Sequence, residues 1–358
     1  MKKSISDSRP VKASAIGLDL SDRKGNWYAI DSTGGQIGNG VVALTVTALR
    51  AWAATFQPTV IAIEAGGNSA WVSRTLTGAR HEVIVANPVK VALITKNIGK
   101  GDEVDAEYLA RLARFDRRLL HEVHHRGEQA QSDLQMIRSR DILVRTRTRL
   151  ITHVRGAVKS FGYRLPGSSG RSFHKLAKLH MPELLRSALD PIVALIEQLT
   201  IKIQVYDRDV EQLVEDRYPE AKRLMQVGGV GALTATTFVL VLEDVKRFTQ
   251  SRAVGAYLGL TPRRDQSGAS DPQRGITGAG DELLRRLLVQ GSQYILGPFG
   301  PDCDLKRHGE KISKGGGQKA KRRAVVAIAR KLAVLLHHLW RTGEQYQPLF
   351  NNTINLAA

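Results

Sequence analysis

The chain divides into an α/β region followed by a mainly helical one, and three observations predict this. Short β-branched runs separated by turns fill residues 13–95. From 129 to 218 apolar residues recur at helical spacing, among them Leu185, Leu189, Ile192, Ile196, Leu199, Ile203 and Val210. The last third opens on Val227-Gly228-Gly229-Val230-Gly231 and continues as apolar and basic helices.

The elements follow in order. Ala15–Leu20 and 27–30 are strand candidates, and Asp31-Ser32-Thr33-Gly34-Gly35 is a turn leading into a third strand near Val41. Residues 43–56 carry helical periodicity, and 60–63 and 82–86 are short buried-type runs. Three antiparallel strands, a helix and further strands is the order of the RNase H-like architecture. The periodic stretch from 129 to 218 is expected to form a long helical hairpin or coiled coil, with its loop at 162–170. The glycine-rich turn at 227–231 suits two roles equally, a plain helix start or a hairpin offering N–H groups to phosphate. Residues 324–340 are apolar but interrupted by Arg330 and Lys331, which predicts a soluble amphipathic helix and not a membrane span.

Lys and Arg number 53 against 34 Asp and Glu, giving a net charge of +19 over 358 residues, so a polyanion is the expected partner. Nucleic acid comes first. A membrane surface comes second, without a basic amphipathic anchor or lipidation motif to support it. The single cysteine, Cys303, excludes an internal disulfide and a multi-cysteine zinc site and fits a reducing cytoplasm. The first residues carry charge without an apolar core, so no signal peptide is expected there.

Four carboxylates are the chemical signal. Asp19 and Glu64 end apolar runs that read as buried strands, and a carboxylate there is costly unless something positive holds it. Asp102 and Asp105 stand three apart where a helix begins and share one face. Alone, that pair is accounted for as an acidic first turn favoured by the helix dipole. With Asp19 and Glu64 it supports a divalent-metal site for phosphodiester chemistry.

A second constellation is the loop Thr261-Pro262-Arg263-Arg264-Asp265-Gln266-Ser267-Gly268, with Arg274 beyond it. Its guanidiniums could hold a phosphate and Ser267 is an accessible nucleophile candidate, although locally an ordinary Ser-Gly turn accounts for it. Two basic runs are candidate backbone contacts: Arg138, Arg140, Arg145, Arg147, Arg149 and Arg155 in the first helical arm, and Lys319, Lys321 and Arg322 after a glycine hinge. A solvated face is the bland account of both. The string His121-Glu122-Val123-His124-His125 matches a zinc-protease pattern, but no third ligand follows and arginines flank it, so a charged linker helix is expected there.

The order Gly17-Leu18-Asp19, Ile63-Glu64-Ala65, Asp102-x-x-Asp105-Ala106 and Gly259-Leu260-Thr261-Pro262-Arg263-Arg264-x-x-Ser267-Gly268 resembles the DEDD transposases of bacterial insertion sequences. This is the family numbered one hundred and ten, with its eleven-eleven subgroup, whose members are bridge-RNA-guided recombinases. The resemblance spans nearly the whole chain. It implies a RuvC-like domain over 1–125, a coiled-coil connector over 126–218 and a C-terminal transposase domain over 219–358, with a helix-hairpin-helix-like element and a nucleophilic serine loop. It implies Mg²⁺ (or Mn²⁺) on Asp19, Glu64, Asp102 and Asp105, and Ser267 as the nucleophile joined to DNA. It further implies a structured non-coding guide RNA paired with target and donor DNA, a tetramer of paired dimers, and a cytoplasmic, nucleoid-associated protein. The sequence departs from the family at 276–280, where Ile-Thr-Gly-Ala-Gly lacks the usual lysine, and at 228–231, where Gly-Gly-Val-Gly replaces a Pro-Gly-Ile-Gly hairpin. Neither change touches a candidate catalytic residue. The expected reaction is strand exchange through a phosphoserine link. Its rivals are a RuvC-like nuclease using metal-activated water and a non-catalytic nucleic-acid-binding protein.

Overall fold

The computed structural model describes residues 10–95, 101–263 and 274–350, with the side chains of 92–95, 102 and 103 outside that description. The chain forms two compact units, Met1–Arg126 and Gly127–Ala358.

The first unit holds five strands and four helices: β1 (Ala15–Leu20), β2 (Lys24–Ile30), β3 (Gln36–Ala43), α1 (Val46–Ala53), β4 (Val60–Glu64), α2 (Ser69–Gly78), β5 (Glu82–Ala86), α3 (Pro88–Thr95) and α4 (Asp102–Phe115). The sheet order is β3-β2-β1-β4-β5, with β1, β2 and β3 antiparallel and β1, β4 and β5 parallel. The β2–β3 turn is built by Asp31, whose Oδ1 accepts from the N–H groups of Thr33 (2.8 Å) and Gly35 (2.9 Å) and the Thr33 hydroxyl (2.7 Å). Gly34 supplies the left-handed residue, φ 91°.

Period-two alternation decides what each face of the sheet buries. Ile16, Leu18, Ile61, Ile63 and Val85 pack with Leu49 and Ala53 of α1 and Val72 and Leu76 of α2. Ala15, Ala62, Ile84 and Ala86 pack instead with Leu109, Ala110 and Ala113 of α4. The unit is therefore a mixed sheet between two helical layers, as the RNase H-like order requires.

Segments differ from expectation in two places. The first helix starts later than residue 43, at Val46, because the Thr45 side chain accepts from Ala48 N–H and caps it there. Residues 121–127 carry no helix. His121 takes a left-handed conformation (φ 46°) and the N–H of Val123 donates to Val85 O at 2.8 Å, so this segment lies along β5. The two histidines of the zinc-protease pattern thus share no helix face, and the linker helix is corrected to an extended segment.

The second unit is helical: α5 (Glu128–Ser160), α6 (Phe173–His180), α7 (Glu183–Asp216), α8 (Glu220–Leu224), α9 (Ala232–Leu242), α10 (Arg252–Tyr257), α11 (Glu282–Leu296), α12 (Asp304–Ser313) and α13 (Gly317–Thr342). Helices α5 and α7 form the expected hairpin and run antiparallel. The end of α5 (Val154, Val158) packs with the start of α7 (Leu185, Leu189, Val193), and its start (Leu134, Ile137) with the end of α7 (Val210, Val214). Helix α9 packs against α5, α7, α8 and α11 and is buried along nearly its whole length. The turn before α9 is shaped by packing: a Cβ on Gly229 would stand 2.7 Å from the carbonyl oxygen of Gly291 in α11. Among the described residues no helix is long and apolar enough to cross a membrane.

Candidate active site

In the first unit the sheet and α4 bring three of the predicted carboxylates together. The parallel register pairs Leu18 with Ile63, so Asp19 and Glu64 follow side by side at the ends of β1 and β4. Alternation places both on the face that carries α4, with Ala15 and Gly17 before Asp19 and Ala62 before Glu64.

The helix reaches this edge because Gly17 has no side chain. A Cβ there would lie 1.9 Å from the Ala106 carbonyl oxygen and 2.6 Å from the Ala110 nitrogen, so α4 rests directly on the β1 backbone. Ala15 packs near Ala110 and Ala113, and Gly17 lies under Ala106 and Ala110. The helix therefore runs antiparallel to β1, and by the same progression Asp19 is set against the first turn of α4. That turn begins at Asp102 and contains Asp105, whose N–H donates to Gly101 O at 3.0 Å.

The electrostatics of Glu64 reflect the same neighbourhood. The Glu64 carboxyl is half-buried and held above its ordinary value, first by burial and second by the negative charge of Asp105. Glu64 thus lies within the field of a second carboxylate in a chain of net charge +19. A divalent cation would relieve both causes, and oxygen donors from Asp and Glu suit a hard cation. The residues present therefore fit a divalent metal. Among the described side chains no three such groups form a complete metal cluster; the Asp102 side chain lies outside the description.

Two positioning residues escaped the sequence reading. Gly17 is one, and its signal was present as a glycine two places before a strand-end aspartate. Asn68 is the other. Its Nδ2 donates to Ser21 O (2.9 Å) and Asp22 O (3.3 Å) while its Oδ1 accepts from Trp71 Nε1 (3.1 Å). It ties the loop after Glu64 to the loop after Asp19.

In the second unit Ser267 and Arg264 lie outside the described residues, but the neck of their loop is well defined. Arg263 N–H donates to Gly275 O and Thr277 N–H to Thr261 O, both at 2.9 Å, with Pro262 and Ile276 bridged between them. Gly259 (φ 68°) lets Ala279 approach, since a Cβ would stand 2.3 Å from the Ala279 nitrogen. Arg285 fastens the neck by donating to Leu258 O (3.1 Å) and Ala279 O (2.5 Å).

Beside this neck runs a groove of about 1850 Å³ lined by Pro262, Arg274 and Ile276, by α12 and α13, and by residues 344–350. Eight Lys and Arg side chains line it against Asp304 and Glu344. Lys319, Arg322 and Arg274 of the predicted contacts are among them. Lys321 is exposed on the same helix but points off the groove, since positions 319, 322, 323, 326 and 330 share the facing stripe.

The arginines of α5 behave differently from a continuous phosphate track. Arg138 pairs with Asp281 (2.9 Å), Arg145 with Asp141 (3.0 Å) and Glu282 (3.2 Å), and Arg140 with Asp207 (2.6 Å). Arg155 donates to Pro166 O and the Ser168 hydroxyl and covers the Phe173 ring. Much of this charge is structural.

Two family models match the chain. Residues 16–162 fit a DEDD transposase model of the IS110 group, and residues 221–301 fit the model described as "Transposase IS116/IS110/IS902 family". The y4pF/y4sB protein of Sinorhizobium fredii is 31% identical over 297 residues, covering 81% of this chain and 75% of that protein. The chain belongs to the IS116/IS110/IS902 transposase family. Further relatives of this transposase are that of insertion sequence element IS1328 from Yersinia enterocolitica, 29% identical over 69% of this chain and 74% of its own, and that of IS1111A from Coxiella burnetii, 27% identical over 79% and 77%. The first matched segment contains Asp19, Glu64, Asp102 and Asp105, and the second contains Ser267. The transposase is a DNA-acting enzyme, and the carboxylates of DEDD transposases serve a divalent metal.

Proposed function

We propose that this transposase moves its insertion sequence by strand exchange through a phosphoserine link. Ser267 Oγ attacks a DNA phosphodiester, and the displaced DNA oxygen leaves with a proton. A hydroxyl of the incoming strand then attacks the same phosphorus, and Ser267 recovers its proton, so strands are exchanged without net hydrolysis. Asp19, Glu64, Asp102 and Asp105 hold Mg²⁺, with Mn²⁺ as a substitute. When bound, the metal supplies Lewis-acid stabilisation of charge on phosphate oxygens. Asp19 and Glu64 would hold it from adjacent strand ends, with α4 bringing Asp105 to the same face. Arg263, Arg264 and Arg274 orient the phosphate at the serine loop, Lys319 and Arg322 hold its backbone neighbours along the groove, and Lys321 meets the backbone from the adjoining exposed face.

What supports the reading is the placing of Asp19 and Glu64 side by side at the ends of β1 and β4, on the face where α4 rests on Gly17, in a chain whose family acts on DNA. The finer assignments extend it. The units divide further into 1–125, 126–218 and 219–358, with α5 and α7 as a coiled-coil connector in a tetramer of paired dimers. A structured guide RNA selects target and donor DNA.

The test is to incubate protein, RNA and labelled DNA with Mg²⁺ and look for a protein–DNA adduct that survives denaturation. The adduct is expected with the unaltered chain and lost with Ser267→Ala. Cleavage that persists in Ser267→Ala but disappears in Asp102→Ala would instead identify a RuvC-like nuclease, a reading that needs only the carboxylate set of the first unit.

A further inference from the structure

The middle of the α5–α7 hairpin gathers positive charge that its acids do not balance. Arg140 of α5 and Arg171, just before α6, converge on one carboxylate, Asp207 of α7, at 2.6 and 3.7 Å. Arg147, two turns beyond Arg140, donates through Nη1 to the Thr200 hydroxyl at 3.3 Å. That hydroxyl in turn donates to Ile196 O, so it adds no charge.

Two buried nitrogens in this place have no hydrogen-bond partner among the described residues, Arg147 Nε and His174 Nδ1. His174 is itself buried, and its other nitrogen stands 3.7 Å from Glu197, which Lys178 already holds at 2.6 Å. Burial first and Arg140 second work against the Arg147 charge; Asp207 opposes them and Arg171 adds to them. Arg147 is also close enough to act on His174. The unsatisfied guanidinium N–H of Arg147 calls for an acceptor, whereas His174, with Nε2 turned to Glu197, leaves Nδ1 as an acceptor itself. The acceptor that also answers an excess of guanidinium is an oxyanion, and phosphate fits a guanidinium fork.

We propose that Arg140, Arg147 and Arg171 form a phosphate-binding site on the helical hairpin, which takes a backbone phosphate of the DNA that the transposase handles. Its residues belong neither to the serine loop nor to the carboxylate set. It rests on the DNA-binding nature of the family and not on the phosphoserine reaction.

The test reads binding of the full chain to labelled duplex DNA by anisotropy across a salt series, with EDTA present so that no strand chemistry intervenes. Each phosphate contact contributes about −0.9 to the slope of log affinity against log salt. Exposed Arg171→Ala should weaken binding equally for unrelated sequences and reduce the slope by about 1. Arg147→Lys keeps charge but loses the fork, and should weaken binding as well. Arg164→Ala, in the same loop but outside the cluster, should change the slope by less. An unchanged slope in folded Arg171→Ala, or an equal change in Arg164→Ala, overturns the site. Inorganic phosphate provides the second arm. If it raises the melting temperature of the unaltered chain but not of Arg171→Ala, while DNA affinity is the same in both, the ligand is free phosphate and the assignment to DNA fails. Loss of the serine adduct alone leaves this result untouched.

Discussion

Acids of both units meet arginines, as Glu107 meets Arg111 at 2.7 Å and Asp116 meets Arg118 at 2.9 Å in the sheet unit, and Glu64 is the contrast. In the helical unit acids are consumed by arginines: Asp133 holds Arg217 at 2.9 Å and the Tyr218 hydroxyl at 2.7 Å, Asp141 holds Arg286 at 2.7 Å, and Asp281 holds Arg138 at 2.9 Å. In the sheet unit Glu64 instead feels the charge of another carboxylate, Asp105. With 53 basic residues in the chain, pairing was easily had. Acids that serve the fold find guanidiniums, whereas acids kept close to one another are available to a cation.

The largest effect should come from removing the charge that is kept unneutralised. Asp105→Asn is expected to lower strand joining by roughly 10²–10³-fold, the scale of losing one preorganised electrostatic group. A strand-transfer assay with purified protein checks this, and a near-normal rate would place Asp105 among the ordinary helix-start acids.

Next comes the packing that holds the site. Gly17→Ala puts a Cβ against the Ala106 carbonyl and should cost about 3 kcal/mol, the upper part of the range for overpacking. Urea denaturation should show the loss, and activity should fall with it because α4 must move. Equal stability to the unaltered chain would mean that α4 does not rest on β1.

A smaller effect is pH dependence. The Glu64 carboxyl binds its proton more readily folded than unfolded. Its contribution is therefore favourable in acid and is lost as pH rises from the ordinary carboxylate range through the raised folded value. Without divalent metal, Glu64→Gln should flatten this decline in melting temperature.

The smallest test lies in the other unit. His337 is buried, its Nε2 donating to Val245 O at 3.0 Å and its Nδ1 accepting from the Ser251 hydroxyl at 2.9 Å. Burial, ahead of the Val245 bond that opposes it, lowers its proton affinity in the fold. Stability from this residue is present above about pH 6.5 and is lost as pH falls below it. His337→Gln should remove that acid sensitivity without affecting Glu64's.

What was legible in the sequence follows the range of the forces involved. Asp19 and Glu64 were visible because each interrupts an apolar run, and Asp102 with Asp105 because helix starts have a local signature. The role of Gly17 was hidden, since it depends on residues 106 and 110 lying across the strand. The arginines of α5 looked like a uniform track because their partners, Asp207 and Asp281, stand far along the chain and only folding brings them near. The extended course of 121–127 was missed for the same reason: its hydrogen bond to Val85 outweighs its helical composition.

The central claim is that the carboxylates gathered in the sheet unit hold a divalent cation. Titration calorimetry with Mn²⁺ tests it most directly, comparing the unaltered chain with Asp19→Asn, Glu64→Gln and Asp105→Asn combined. The account predicts saturable binding that raises the melting temperature of the unaltered chain and is absent from the triple variant. Equal binding by both proteins would contradict it.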